Sequence, residues 1–351
     1  MKIVIDGMGG DNAPVEIVKG SVMACNEYDV ELVITGDSEA INNELSKYNY
    51  DKSKITVVHT TEVIENDDKP VAAIRKKKDS SLVVALNMVK NKEADLIISA
   101  GNTGALLSGG VFILKRIKGI KRPCICATLP TVKNTSVLLA DTGANVDCDP
   151  ENLLDFALMT DVYAKKVLGL KNPRISLANI GMEDTKGNDL TKKSYNLLTQ
   201  VKDINFTGNM ETRDVLNGVC DVIICDGFTG NILLKTVEGT VLSLMSKIKQ
   251  LLLSSLVSKL GTLIIKGKLK ELKKLLDYTE YGGAPFLGVE GGLIKAHGSS
   301  NAKAFKNAIY QGIKFHEGNV IEEIKKSVEV KSKIQENEIK DNKIDIKKED
   351  N

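Results

Sequence analysis

Residues 2–11 read KIVIDGMGGD, and the fold turns on this stretch. A short β-branched run stops at Asp6-Gly7 and a glycine turn, and Ala13-Pro14-Val15-Glu16 then starts a helix, with Pro14 suited to the first turn. The same pattern recurs along the chain. VELVITGD (30–37), ADLIISAGNTG (94–104), SVLLADTGAN (136–145), RISLANIG (174–181) and CDVIICDGFTGN (220–231) are apolar strands that stop in Gly, Asp or Asn, and ITVVHT (55–60) is a further apolar strand. Between them lie helical stretches such as Pro70–Lys90, Pro150–Leu168 and Asn231–Gln250. Near-continuous apolar strands alternating with helices predict an α/β fold, a mostly parallel sheet with helices on both faces. Ligands of such sheets sit beyond the carboxyl ends of the strands. Four polar turns occupy that position, Asp6–Asp11, Gly101–Gly104, Asp141–Asn145 and Asp226–Asn231.

A fifth segment completes the expected site. Tyr281–Phe305, YGGAPFLGVEGGLIKAHGSSNAKAF, sets six glycines around Lys295 and His297, then passes through Ser299-Ser300-Asn301 into a helix. Lys295 and His297 are one residue apart on extended chain, so they should point to one side. With the N–H groups of a helix N-terminus at Gly298, Ser299 and Ser300, they form a predicted anion socket.

Composition bounds the function. The chain has 351 residues, room for one large domain or two joined lobes at ~150 residues per domain. A formal net charge of +2, no Trp and 4% aromatic residues argue against nucleic-acid binding. Six cysteines with no C-x-x-C spacing fit reduced thiols, and Met1-Lys2 leads straight into Ile3-Val4-Ile5, without the regions of a signal peptide. A cytoplasmic protein is expected. Leu96–Leu114 is interrupted by four glycines and predicts a strand, a turn and a helix start rather than a membrane span.

Two segments suggest surfaces. In Met245–Leu276, Ile248, Leu252, Leu256, Leu260 and Ile264 recur every four residues, and Leu269, Leu272, Leu275 and Leu276 form a second stripe. Eight lysines accompany one glutamate there. Two protruding amphipathic helices, broken near Gly261–Gly267, suit an anionic membrane surface or a subunit interface. The run Arg75-Lys76-Lys77-Lys78 is either a docking surface for an acidic partner or a solvated helix face. Beyond Val330 the chain is charged and poor in core residues, and residues 331–351 are expected to be disordered outside a single 1–330 domain.

Other chemistries lose their anchors. DGMGGD lacks the G-x-G-x-x-G spacing and places Asp11 where a dinucleotide phosphate would approach; P-loop, H-E-x-x-H and G-x-S-x-G patterns are absent. Asp6, Asp141 and Asp226 stand at strand ends, where a carboxylate either serves a site or bonds to local backbone N–H groups. His59 and His316 lack catalytic neighbours in the sequence and are read as structural.

With these residues in view, the chain resembles the PlsX-type phosphate acyltransferases. The motifs are IDGMGGDNAP, SAGNTGAL, LLADTGANVDCDPENL, ANIGMED, FTGNMETRD, CDGFTGNILLKTVEG and GGAPFLGVEGGLIKAHGSSNAKAF, seven blocks in order from Ile3 to about Gln311. The resemblance implies a fold similar to phosphotransacetylases and isocitrate/isopropylmalate dehydrogenases, and a homodimer. It implies transfer of a fatty acyl group from acyl carrier protein to inorganic phosphate, at the start of phospholipid synthesis. The product would feed a membrane glycerol-3-phosphate acyltransferase.

That chemistry suits the predicted socket. Phosphate is already nucleophilic near neutral pH, so direct transfer through a ternary complex needs neither a strong base nor a covalent intermediate. Lys295, His297, Asn145, Asp141 and Asp226 are the expected catalytic group, with Asn102, Thr103, Asn145 or His297 as donors to the thioester oxyanion and Asp141 and Asp226 orienting loops or donors. Asp6, Gly9, Gly10, Gly101, Asn102, Thr103, Gly104, Gly143, Gly227, Gly230, Asn231, Gly298, Ser299 and Ser300 are expected around phosphate and thioester. The Leu-rich stripe is the candidate acyl channel, and Arg75–Lys78 and Lys266–Lys274 are candidate carrier-protein surfaces. No metal or nicotinamide cofactor is called for. The rivals are a phosphotransacetylase using acetyl-CoA, a non-catalytic scaffold for membrane and carrier protein, and a dehydrogenase of related fold.

Overall fold

The computed structural model describes the backbone of residues 1–275 and 282–329, with side chains except those of 273–275. The expectations placed on Leu276, Tyr281 and the 331–351 tail lie outside the described residues. The first lobe begins β1 (Lys2–Asp6), α1 (Val15–Glu27), β2 (Glu31–Gly36), α2 (Ser38–Leu45) and β3 (Ile55–His59). Next come α3 (Pro70–Lys76) and α4 (Ser81–Lys90), where the sequence suggested one helix. Ser80 breaks it, because its side chain caps α4 by accepting from Val83 N–H. β4 (Leu96–Ser99) and α5 (Thr103–Gly109) follow.

The second lobe contains β5 (Cys124–Pro130), β6 (Ser136–Ala140), α6 (Pro150–Val167), β7 (Arg174–Asn179), α7 (Asp189–Gln200), β8 (Asn205–Glu211) and β9 (Val222–Ile224). It continues into α8 (Gly227–Leu252) and α9 (Leu256–Leu275), and the chain returns to the first lobe with β10 (Gly283–Leu287), β11 (Gly292–Ala296) and α10 (Ala302–Glu317).

Among the described residues the strands join one sheet, in the order β3-β2-β1-β4-β11-β10-β5-β6-β9-β7-β8. β3, β2, β1, β4 and β11 are parallel, and so are β6, β9, β7 and β8. Antiparallel pairs β11–β10, β10–β5 and β5–β6 stand between the groups, which therefore run in opposite directions. The register brings their carboxyl ends together. Ile98 pairs with Ile294 and Ile294 with Pro285; one step from the Phe286–Ile125 pair, Cys126 faces Ala140, and Ala140 faces Ile224. Asp6, Lys295, Asp141 and Cys225 all lie within about two residues, or roughly 7 Å, of that row.

The core explains why a cleft opens there. On one face of the sheet a single apolar cluster joins β1 and β4 to β6, β7 and β9 through α6 and α10, with Phe156, Tyr163 and Phe305 fully buried. On the other face the packing is divided. One cluster gathers Leu86, Leu106, Ile125 and Leu293, and a separate one gathers Leu129, Leu139, Met210 and Ile223. Each large buried side chain contributes about 1.5–3 kcal/mol, so both halves are well supported while the seam between them stays open.

The amphipathic segment departs from expectation in one respect. Its helices break at Leu253–Ser255, and Gly261 and Gly267 lie inside α9. Ser254 Oγ donates to Leu251 C=O, and Ser255 Oγ accepts from Ser258 N–H, closing one helix and opening the next. Leu256, Leu260 and Ile264 stand 79%, 65% and 86% exposed. Among the described residues no helix is long and apolar enough to cross a membrane.

Candidate active site

A cleft of about 470 Å³ lies between the two divided cores. Each of the five polar segments contributes to its wall, through Asp11, through Gly101 and Thr103, through Thr142 and Gly143, through Asn231, and through Lys295, His297 and Gly298. Its apolar side is formed by Ile125, Ala127, Leu129, Leu234 and Ala284. One compartment thus presents cations and backbone groups beside hydrocarbon.

Lys295 projects from the end of β11, and its ammonium donates to Ala100 C=O at 2.7 Å and to Gly101 C=O. Burial pulls its pKa down from 10.5 to about 8, and Lys235 pushes the same way, against the carboxylates of Asp6 and Asp11. His297 shares the cleft. Ser299 N–H donates to its Nδ1 at 3.2 Å, which puts the proton of the neutral ring on Nε2. Burial, Lys235 and Lys295 lower its pKa, favouring that neutral form.

Several residues expected in contact with substrate instead hold the walls. Asp6 is 2% exposed and accepts from Ser81 Oγ at 2.6 Å and Ser99 Oγ at 2.7 Å. Gly9 lets the 6–11 loop press on it, since a Cβ there would come within 2.4 Å of Asp6 Oδ2. Gly10 lies against Ala100 and Gly298, and Gly104 against Pro70. Asn102 accepts from Ala105 N–H, while its amide donates to the carbonyls of Glu65, Asn66 and Asp68.

The Asp141–Asn145 turn is equally self-contained. Asp141 is fully buried and accepts from the N–H groups of Ile125, Gly143, Ala144 and Asn145 and from Asn145 Nδ2. Burial pushes its carboxyl upward, and these donors oppose it. Asn145 gives its other amide hydrogen to Pro123 C=O, so its donors face the turn. Asp226 caps α8 by accepting from Thr229 N–H and Oγ1. Gly227 and Gly230 let α8 sit directly on the turn.

Of the predicted socket, Lys295, His297 and Gly298 line the cleft, but the N–H groups leading into α10 are taken, Ser299 N–H by His297 Nδ1 and Ser300 N–H by His297 C=O. Ala302 N–H donates to Glu16 Oε2 at 2.5 Å and Ala304 N–H to the Asn301 cap, so an internal carboxylate occupies that helix end. Ser300 is buried behind the wall, and Asn12 Nδ2 holds the carbonyls of Ser299 and Ser300. The basic run is divided too. Arg75, Lys76 and Lys78 are exposed, Arg75 lying over the Phe112 ring, but Lys77 turns inward to Asp68 at 2.6 Å and Val63 C=O.

Sequence reasoning overlooks Asn66, Lys235 and Glu238, and it includes Asp11 as the end of the Asp6–Asp11 turn without naming it as a site residue. All four line the cleft. A helical signal was available. Asn231, Leu234, Lys235 and Glu238 fall at i, i+3, i+4 and i+7, one face of a helix that begins at Gly227.

A family model described as fatty acid synthesis protein matches residues 1–323. Among similar chains, the phosphate acyltransferase of Clostridioides difficile (strain 630) is 61% identical over 324 residues, 92% of this chain and 95% of that one. The chain belongs to the PlsX-type phosphate acyltransferase family. It is an acyltransferase on that ground. The phosphate acyltransferase of Alkaliphilus oremlandii (strain OhILAs), 54% identical over 328 residues and covering 93% and 97% of the two chains, is a second family member. A phosphotransacetylase from Streptococcus pyogenes shares the fold, with a TM-score of 0.61 over 92% of this chain and 94% of that one, at 19% identity. The fold expected from the sequence is thus found in a solved structure.

Proposed function

We propose that this chain transfers a fatty acyl group from acyl carrier protein to inorganic phosphate, giving an acyl phosphate and the free carrier thiol. The observation that carries the reading is the cleft that sets Lys295 and His297 beside an apolar wall of Ile125, Ala127, Leu129 and Leu234. Phosphate held by Lys295 attacks the thioester carbon through one oxygen, the C–S bond breaks, and the sulfur leaves as a thiolate that takes up a proton. With Asn102 and Asn145 committed to the walls, Thr103 and His297 are the oxyanion donors of the expected set that line the cleft. Asp141 and Asp226 act by holding the loops.

The acyl phosphate would enter phospholipid synthesis by passing to a membrane acyltransferase that acts on glycerol 3-phosphate. A homodimer, a cytoplasmic location with peripheral membrane contact through 245–276, and carrier-protein docking on Arg75, Lys76 and Lys78 belong to the same reading. Exposed Leu256, Leu260 and Ile264 support the membrane contact, and Gly104 packed on Pro70 places α3 against the cleft wall. Replacing both Leu260 and Ile264 by Glu should release the protein from sedimenting anionic vesicles; undiminished binding would remove the 245–276 segment from this role.

The deciding assay supplies palmitoyl-acyl carrier protein or acetyl-CoA, each with and without phosphate, and follows thiol release and acyl phosphate as hydroxamate. Phosphate-dependent turnover of the long-chain substrate is expected. Turnover of acetyl-CoA alone would make the chain a phosphotransacetylase, and an isolable acyl-enzyme would overturn direct transfer.

A further inference from the structure

Lys235 has no part in the chemistry described so far. It projects from the cleft face of α8, on the lobe opposite Lys295, and its Nζ lies 2.7 Å from Glu238 Oε2 one turn along the helix. The Lys235 side chain is 54% exposed and Glu238 only 12%, so the carboxylate is a fixed anchor and the ammonium the solvent-facing end. An ammonium has three donors, and one bond to Glu238 leaves two for another acceptor.

The cleft thus receives a lysine from each lobe. Lys235 is near enough to Lys295 and His297 for its charge to disfavour protonation of both, opposed by Asp6 and Asp11 at Lys295 and by Asp11 and Glu238 at His297. Converging cations raise each other's energy, and a bound dianion relieves that repulsion. We propose that Lys235 is a second phosphate-binding residue, contributed across the cleft from Lys295 and oriented by Glu238, so that the phosphate is gripped by both lobes. This rests on the reading of the cleft as a phosphate site.

The test is a comparison of wild type with Lys235→Met and Lys235→Arg. In the methionine variant the KM for phosphate should rise by about 10- to 100-fold while the KM for the acyl thioester stays within about twofold, and arginine should recover most of the loss. An unchanged phosphate KM, or a fall in kcat alone, overturns the proposal. Thermal protection by phosphate gives a second readout that does not depend on turnover. Protection of wild type that is weakened in Lys235→Met supports the contact. Equal protection of both overturns Lys235 alone, and no protection of wild type overturns the phosphate site as well.

Discussion

Replacement of Lys295 by methionine is expected to lower phosphate-dependent turnover by roughly 100- to 1,000-fold while the chain remains folded. Methionine is close to the lysine stem in length, so packing at the end of β11 changes little; what is lost is the ammonium that faces the cleft and the Ala100 and Gly101 carbonyls. Near-native activity in this variant would remove Lys295 from the chemistry.

The same lysine predicts a pH signature. Its folded pKa is about 8 against 10.5 for the free side chain. Between those values the unfolded chain holds a proton that the folded chain has released, so stability gains from this group as pH rises. Below the window the cost of burying the ammonium is fully present. Activity that needs the ammonium goes the other way and declines above about 8. The melting temperature of wild type relative to Lys295→Met should therefore rise across the alkaline limb as turnover falls, and a parallel fall of both would assign the limb to another group.

Gly230→Ala is expected to destabilise the protein by about 3 kcal/mol or more. A Cβ at Gly230 would stand 1.9 Å from Asp141 C=O and 2.9 Å from Cys225 Sγ. The first is backbone, held by the turn that five N–H donors tie to Asp141, so it cannot swing aside as a side chain would. Gly239 supplies the control on the same helix. A Cβ there would meet no neighbour within 4 Å, and Gly239→Ala should stabilise by about 0.5–1 kcal/mol through helix propensity alone. Urea midpoints moving in opposite directions for the two variants would confirm the contrast; equal shifts would place the joint between α8 and the Asp141 turn elsewhere.

The strands and their polar ends were legible because the apolar runs, ITVVHT apart, stop at a Gly, Asp or Asn, and that chemistry is local. The reversal of direction across the sheet was not. β5 and β10, the strands that produce it, lie outside the runs that end in such turns, and the pairing of Phe286 with Ile125 is nowhere written in either segment. Lys295 and His297 could be placed on one side from their spacing. The fate of the α10 N-terminus could not, because Glu16, which fills it, is 286 residues distant. Asn102 and Asn145 show the same limit. Their residue type permits donation to a ligand, and only the tertiary structure shows the backbone carbonyls and, for Asn145, the Asp141 carboxylate that take their hydrogens.

The divided core behind the cleft has a consequence for how this scaffold can change. Ile125 belongs to one apolar cluster and Leu129 to the other, while Ala127 between them lines the cleft and belongs to neither. A larger or smaller residue at that position alters the space offered to a bound chain without removing a contact on which either half depends. Evolution can therefore vary what the cleft admits through a buried strand residue that anchors neither apolar cluster, and the usual conflict between new specificity and robust folding is eased at that point.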